Sequence, residues 1–127
     1  MKQPLTREQH GVVDYAYVPV VAALPAVVGF DRDDVPAQLA RLISSGVLVS
    51  TLATRAEWGV VRVVPFKVHL ALDAVTSALA MAAPWLFGFA KDERARNTFV
   101  AIGLLGLVVG ALTQPEEMPR AELNGAK

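Results

Sequence analysis

The stretch APWLFGF, from Ala83 to Phe89, places a proline, a tryptophan and a glycine inside an apolar segment. The stretch LPAVVGF, from Leu24 to Phe30, has the same ending much earlier in the chain. Proline removes a backbone donor and bends a helix, and glycine can take the left-handed conformation that closes one. Each copy therefore predicts the end of an apolar helix, and the two copies together predict an internal repeat.

The repeat begins upstream of these two endings. When His10 is set over His69 without a gap, Asp14 meets Asp73, and the shared frame is H-x3-D-x10-P-x3-G-F. This frame predicts a single domain, 1–127, with repeats 10–53 and 69–113, an interfacial loop 54–68 and a tail 114–127. The predicted helix-end motif comprises Pro25, Gly29, Phe30, Pro84, Trp85, Gly88 and Phe89.

Charge is confined to short clusters that separate four apolar segments, about 12–29, 35–53, 68–88 and 98–113. A membrane-spanning helix needs ~20 apolar residues, and these segments are close to that length. A soluble four-helix bundle is the alternative, but it would need a polar face on every helix, and Ala101–Leu112 has none. The formal net charge of zero gives no basic surface for nucleic acid, and the absence of cysteine excludes disulfides and thiolate sites.

These segments predict an all-α, four-transmembrane-helix bundle built from two tandem helical hairpins. Each repeat holds two spans, so the second repeat starts on the same side of the membrane as the first. The two hairpins should then be related by a pseudo-twofold axis along the membrane normal, as in parallel repeats. The aromatic side chains of Trp85, Phe87 and Phe89 should lie near the lipid headgroups.

Three stretches of this chain resemble a known family, the SPW-repeat membrane proteins of bacteria. They are HGVVDY (His10–Tyr15), EWGVVRVVPFKVHLALD (Glu57–Asp73) and APWLFGF. The family takes its name from a Ser-Pro-Trp motif, whereas the two copies here read Leu-Pro-Ala and Ala-Pro-Trp. The resemblance implies a small four-helix integral membrane protein, and it implies no established activity.

The distribution of basic residues predicts the orientation in the membrane. Seven of them lie in the N-terminus, the central loop and the tail, against four or five on the other side. Cytoplasmic segments carry the excess of lysine and arginine. We therefore expect a multi-pass protein of the bacterial inner membrane with both termini in the cytoplasm. The seven residues are Lys2, Arg7, Arg55, Arg62, Lys67, Arg120 and Lys127.

The central loop is too apolar for a free linker. Its apolar side chains could lie in the membrane interface, with Arg62 and Lys67 toward the headgroups. These apolar residues are Trp58, Val60, Val61, Val63, Val64 and Phe66.

The strongest candidate for chemistry is a polar cluster, His10, Asp14, His69 and Asp73. Within each pair the spacing is i, i+4, so both side chains share one helix face. Three interpretations are open: pairing between repeats or with Arg62 or Arg55, a metal site, and a path for protons or small cations. Tyr17, Thr76 and Arg62 are possible supporting residues.

Four glycines, Gly46, Gly103, Gly106 and Gly110, predict close helix packing, within one chain or between copies. No nucleophile triad, phosphate loop or metalloprotease motif is present, so we expect no enzyme and no catalytic residues, and we predict no cofactor. The leading interpretation is a structural or interaction role in the bilayer, by self-association or within a larger membrane complex. The alternative is a proton or cation pathway, or a metal-binding membrane protein, that uses the His/Asp cluster.

Overall fold

The computed structural model describes residues 2–123 and confirms the all-α fold. Four long helices are followed by one short turn of helix. The predicted domain and tail boundaries at residue 1 and at 124–127, with Lys127, lie outside the described residues. The helices are α1 (Arg7–Val28), α2 (Val35–Leu52), α3 (Phe66–Leu86), α4 (Glu93–Ala111) and α5 (Arg120–Leu123).

Each of the four long helices is long enough and apolar enough to cross a membrane. This confirms the expectation of four membrane-capable helices. The fourth begins at Glu93, ahead of the apolar segment predicted from Thr98. It starts early because the Asp92 carboxylate accepts a hydrogen bond from the Ala95 amide at 3.2 Å and so caps the helix.

Both copies of P-x3-G-F close a helix in the same way. Gly29 and Gly88 have φ angles of 89° and 78°, in the left-handed region that glycine enters without steric cost. The amide after each glycine then donates to the carbonyl of the motif's proline, from Phe30 to Pro25 and from Phe89 to Pro84, each at 2.8 Å. The motif is therefore a helix C-cap of the Schellman type in both repeats.

The aromatic residues at these helix ends have two different surroundings. Trp85 and Phe87 are exposed on the protein surface, and their place near the lipid headgroups stays a prediction. Phe89 instead packs edge-on against Phe99, with ring centroids 5.2 Å apart, and Phe30 also lies against the core. The phenylalanine that ends each copy of the motif therefore contributes to packing between the helices.

The helices pack mainly as two hairpins, α1 with α2 and α3 with α4, and less extensively across α1 and α4 or α2 and α3. Gly103 and Gly106 lie so close to α3 that a Cβ on either would overlap Ser77, which explains these two glycines as packing residues. A Cβ on Gly46 or Gly110 would meet no described atom within 4 Å. Those two glycines therefore do not serve packing within the chain.

Short extended segments tie the two hairpins together at one end. Leu5 pairs with Thr113, and Val64 pairs with Thr54. The Leu5 amide donates to the Leu112 carbonyl at 3.0 Å, and the Val64 amide donates to the Ala53 carbonyl at 2.8 Å. The two sets of contacts are equivalent in the register that sets His10 over His69, and α1 and α3 both start at this end. The pattern supports a pseudo-twofold axis that runs along the helices.

Candidate functional site: a buried His/Asp cluster

The side chains of His10, Asp14, His69 and Asp73 meet at the end of the bundle where α1 and α3 begin. Each histidine Nε2 lies near the Oδ2 atom of both aspartates. The distances across repeats are 2.9 Å for His10 to Asp73 and 2.8 Å for His69 to Asp14. The distances within a helix are 3.2 Å for His10 to Asp14 and 3.1 Å for His69 to Asp73. The four atoms thus form a closed, alternating ring.

The cluster is almost sealed from solvent. The side chains of His10 and His69 are 1% and 0% exposed, and those of Asp14 and Asp73 are 10% and 13% exposed. Charged groups are buried only when they are paired or coordinated, because their desolvation costs several kcal/mol per ion. The ring supplies that pairing, since every charge in it has two opposite partners.

Two threonine hydroxyls determine which ring nitrogen of each histidine carries a proton. Thr113 Oγ1 donates its hydrogen to the Val109 carbonyl at 2.6 Å and lies 2.9 Å from His10 Nδ1. Thr54 Oγ1 donates to the Ser50 carbonyl at 2.6 Å and lies 2.9 Å from His69 Nδ1. A hydroxyl has one hydrogen, so each threonine must accept a bond from its histidine. Both Nδ1 atoms are therefore protonated donors.

This assignment decides what must lie between Nε2 and the carboxylates. A neutral histidine with its proton on Nδ1 presents a lone pair at Nε2, which would face the carboxylate lone pairs at about 3 Å. The ring is stable only when positive charge lies between the two nitrogens and the two carboxylate oxygens. Either two protons, shared between nitrogen and oxygen, or a metal cation can fill that role.

Aromatic rings cover the cluster on the loop side. Phe66 is fully buried and stacks on His69, with centroids 5.9 Å apart and planes at 9°. The Trp58 ring meets His69 edge-on at 5.5 Å and lies against Gly11, where a Cβ would overlap it. The expectation that Phe66 and Trp58 lie in the membrane interface is corrected: they form a lid, while Val60, Val61 and Val63 are exposed.

Outside this lid, charged side chains connect the loop and the tail to the helices. Arg7 makes a bidentate ion pair with Glu57, with both contacts at 2.7 Å. The hydrogen bond from Arg7 lowers the pKa of the Glu57 carboxyl below its usual value. Glu117, from the tail, accepts bonds from the Phe66 and Lys67 amides at 2.7 and 3.0 Å and so caps α3.

The proposed supporting residues divide into two groups. Tyr17 and Thr76 line a cavity of about 30 Å³ beside His10, Asp14 and Asp73, on the side away from the lid. This volume suits a single water molecule. Arg62 does not pair with either aspartate: its guanidinium donates to the backbone carbonyls of Gly59, Glu57 and Glu122. Arg62 therefore stabilises the central loop through hydrogen bonds to backbone carbonyls and does not contact the cluster.

The chain matches the SPW repeat domain over residues 8–113. The chain belongs to the SPW repeat family. The matched region takes in the whole His/Asp cluster, both threonines and, apart from Arg7, all four long helices. No curated protein and no solved structure matches the chain.

Two site residues of this SPW repeat protein were missed in the sequence, Thr54 and Thr113. They coincide in the same register that sets His10 over His69, so the signal was present. Each threonine follows the second helix of its repeat, and only the fold brings that end beside a histidine.

Proposed function

We propose that this SPW repeat protein is a small, non-catalytic membrane protein that acts by packing with other membrane helices, and that its first partner is a second copy of itself. The family and the four membrane-capable helices support the membrane setting. The observation that carries the interaction role is an apolar groove between the two hairpins, along α2 and α3.

The groove has a volume of about 380 Å³ and runs beside Gly46 on α2. Its walls are almost entirely apolar, with Leu39, Ile43, Leu79 and Leu86 among them, and Thr76 is one of its few polar residues. A site of this composition offers little to orient a polar substrate. It suits an apolar partner, and a small residue in the wall lets a helix backbone approach closely.

The cause of the groove can be traced to one difference between the repeats. On α3 the groove is lined by Thr76, Ala80 and Ala83. At the equivalent positions of the first repeat, α1 carries the larger side chains of Tyr17, Val21 and Leu24, all of which pack in or against the core. The seam beside α1 is therefore filled from within the chain, whereas the seam beside α3 needs something from outside.

A second copy is the partner that these features favour. No charged residue lines the groove, so nothing in it selects a charged partner. Leu42, at the edge of the groove, and Val49, seven residues further along α2, are 68% and 64% exposed and offer apolar surface to a neighbouring copy. An accessory position in a larger membrane complex would use the same surface.

The test compares two leucine variants by energy transfer between labelled copies in liposomes, over a range of protein-to-lipid ratios. Gly46→Leu fills the groove and should weaken self-association by about tenfold or more, because the close helix approach is lost. Ala22→Leu is the matched control, since Ala22 is exposed on α1 and lies outside the groove. Wild-type protein that stays monomeric at every ratio, or two variants that associate equally well, would overturn self-association through this groove.

We also propose that both termini lie on the cytoplasmic side of the bacterial inner membrane. The excess of basic residues at this end supports it, and the contacts of Arg7 with Glu57 and of Glu117 with α3 bring the N-terminus, central loop and tail to one end. Because the chain has no cysteine, Lys2→Cys and Arg32→Cys can be labelled with an impermeant maleimide on intact cells. Only Arg32→Cys should react; the reverse result would invert the orientation.

A further inference from the structure

We propose that the His/Asp cluster binds one divalent transition-metal cation, Zn²⁺ foremost, held by His10, Asp14, His69 and Asp73. This goes beyond a packing role: it assigns a metal site to the chain and revises the sequence-based expectation of no cofactor. The cation would join the two repeats at one point, because each repeat supplies one histidine and one aspartate.

The ligand atoms already have the spacing of a small coordination sphere. Two Nε2 atoms and two Oδ2 atoms alternate around a ring with neighbouring distances of 2.8 to 3.2 Å, and all four lie within 4.8 Å of one another. Tetrahedral zinc with bonds of ~2.0–2.1 Å places its ligands roughly 3.3 Å apart. The four neighbouring contacts therefore have to lengthen by a few tenths of an ångström to admit the cation, and the two diagonal pairs, His10 with His69 and Asp14 with Asp73, have to reach the same spacing.

The histidines are also held in the tautomer that a metal requires. Thr113 and Thr54 accept the Nδ1 protons of His10 and His69, which leaves the two Nε2 lone pairs directed into the ring. A hydrogen bond from the second ring nitrogen is the usual partner of a metal-bound histidine, because it orients the ring and strengthens the ligand. The two threonine hydroxyls can accept this hydrogen bond because each donates its own hydrogen to a backbone carbonyl.

Charge balance favours a dication in particular. Two aspartates carry two negative charges, and two neutral histidines carry none, so one divalent cation makes the buried ring neutral. Without the cation, two protons restore the same neutrality. Metal binding should therefore release about two protons for each cation bound, since the ligands must be free of protons.

Nitrogen and carboxylate ligands in a four-coordinate arrangement narrow the choice of metal. Imidazole suits zinc and its first-row neighbours, whereas calcium and magnesium prefer oxygen ligands in larger numbers. Four protein ligands close the sphere, as in structural zinc sites. The lid of Phe66 and Trp58 keeps bulk water away, and the cavity of about 30 Å³ beside Asp14 and Asp73 has room for one further water molecule.

The composition of the chain allows a bound metal to be assigned to this site. The full chain has two histidines, both in the cluster, and no cysteine. A histidine-ligated cation can therefore lie only at this site, provided that the purification tag carries no histidine. The protein is purified in detergent, stripped with a chelator and titrated with Zn²⁺ and with Co²⁺, whose visible absorption reports tetrahedral nitrogen and oxygen ligands.

We expect one cation per chain, the absorption of tetrahedral Co²⁺, and release of about two protons measured by calorimetry in buffers of different ionisation enthalpy. Asp14→Asn with Asp73→Asn should abolish stoichiometric binding. Asp31→Asn with Asp33→Asn is the matched control: it removes the same charge from an exposed turn and should bind as the wild type does.

A second variant keeps the proposal testable if the double aspartate variant does not fold. Thr113→Val keeps all four ligands but removes the acceptor of the His10 Nδ1 proton, so affinity should fall by ~10–100-fold with the stoichiometry unchanged. Wild-type protein that binds no Zn²⁺ at micromolar concentration would overturn the site. So would cobalt spectra without tetrahedral character, or a Thr113→Val variant with unchanged affinity.

Discussion

The internal repeat is preserved at the cluster end of the bundle and is lost along the middle of the bundle. In the cluster, the four ring residues and the two threonines are identical at equivalent positions: His10 and His69, Asp14 and Asp73, Thr54 and Thr113. Along the seams between hairpins they differ, because α1 carries larger side chains than α3 does at the equivalent positions. A polar site shared by the two repeats needs both copies of each group, because every buried charge must be matched. Apolar packing has no such requirement, so one seam is filled and the other is open.

The largest effect is expected from breaking the symmetry of the cluster. In chelator-treated protein, Asp14→Asn and Asp73→Asn should each lower the stability by ~3–5 kcal/mol, because each leaves two buried histidines with half of their counter-charge. The two losses should agree closely, since both aspartates contact both histidines. Thermal unfolding in detergent measures them, with exposed Asp31→Asn as the control. If either variant were almost as stable as the wild type, the two aspartates would not contribute equally to the pairing of both histidines.

The threonines should give a smaller effect that differs between the repeats. Thr113→Val removes the hydroxyl that His10 Nδ1 contacts and should cost ~1–3 kcal/mol, the penalty of a buried unpaired donor. His69 Nδ1 has a second hydroxyl, Ser50 Oγ, at 3.0 Å, so Thr54→Val should cost less. Val109 occupies the position equivalent to Ser50 in the second repeat.

The same unfolding assay tests this inequality. A Ser50→Ala, Thr54→Val double variant should bring the loss up to that of Thr113→Val. If the single Thr54→Val variant were already the more damaging of the two, Ser50 would not be a substitute acceptor for the histidine proton.

The smallest effect belongs to the outer ion pair. Arg7 lowers the pKa of Glu57, so the pair stabilises the fold above the ordinary pKa of glutamate and is lost as the pH falls through the lowered value. Glu57→Gln should therefore cost about 0.2–1 kcal/mol at neutral pH, as ion pairs near the surface do, and almost nothing in strong acid. Melting temperatures of both proteins across that pH range measure the difference. If the difference in melting temperature persisted in acid, Glu57 would stabilise the fold by contacts that do not depend on its charge.

Much of the architecture could be read from the chain before folding. Hydropathy predicts four spans, and the two P-x3-G-F motifs predict the helix ends that Gly29 and Gly88 close. These features are local, since they depend on backbone conformation and on contact with lipid. The pairing of the aspartates with the histidines of the other repeat was one of three open interpretations, and spacing alone did not distinguish them.

What the sequence missed depends on groups that are far apart in the chain. Phe66 and Trp58 were expected in the interface because apolar residues in a loop suit that position, but they close over the histidines. Arg62 was a candidate partner for the aspartates, yet nearby backbone carbonyls hold it. In each case an amphipathic side chain had several acceptable partners, and the tertiary contacts selected one.

The sequence by itself determined that this is a four-helix membrane protein with two repeats, because apolar length and helix-ending residues act locally. Only the tertiary structure decided that four polar side chains share one ring, that Thr54 and Thr113 fix the histidine tautomers, and that one seam stays open. The physical reason is that a buried charge is stable only beside a specific partner. In each cross-repeat pair that partner comes from the other half of the chain, as His69 does for Asp14 and His10 for Asp73.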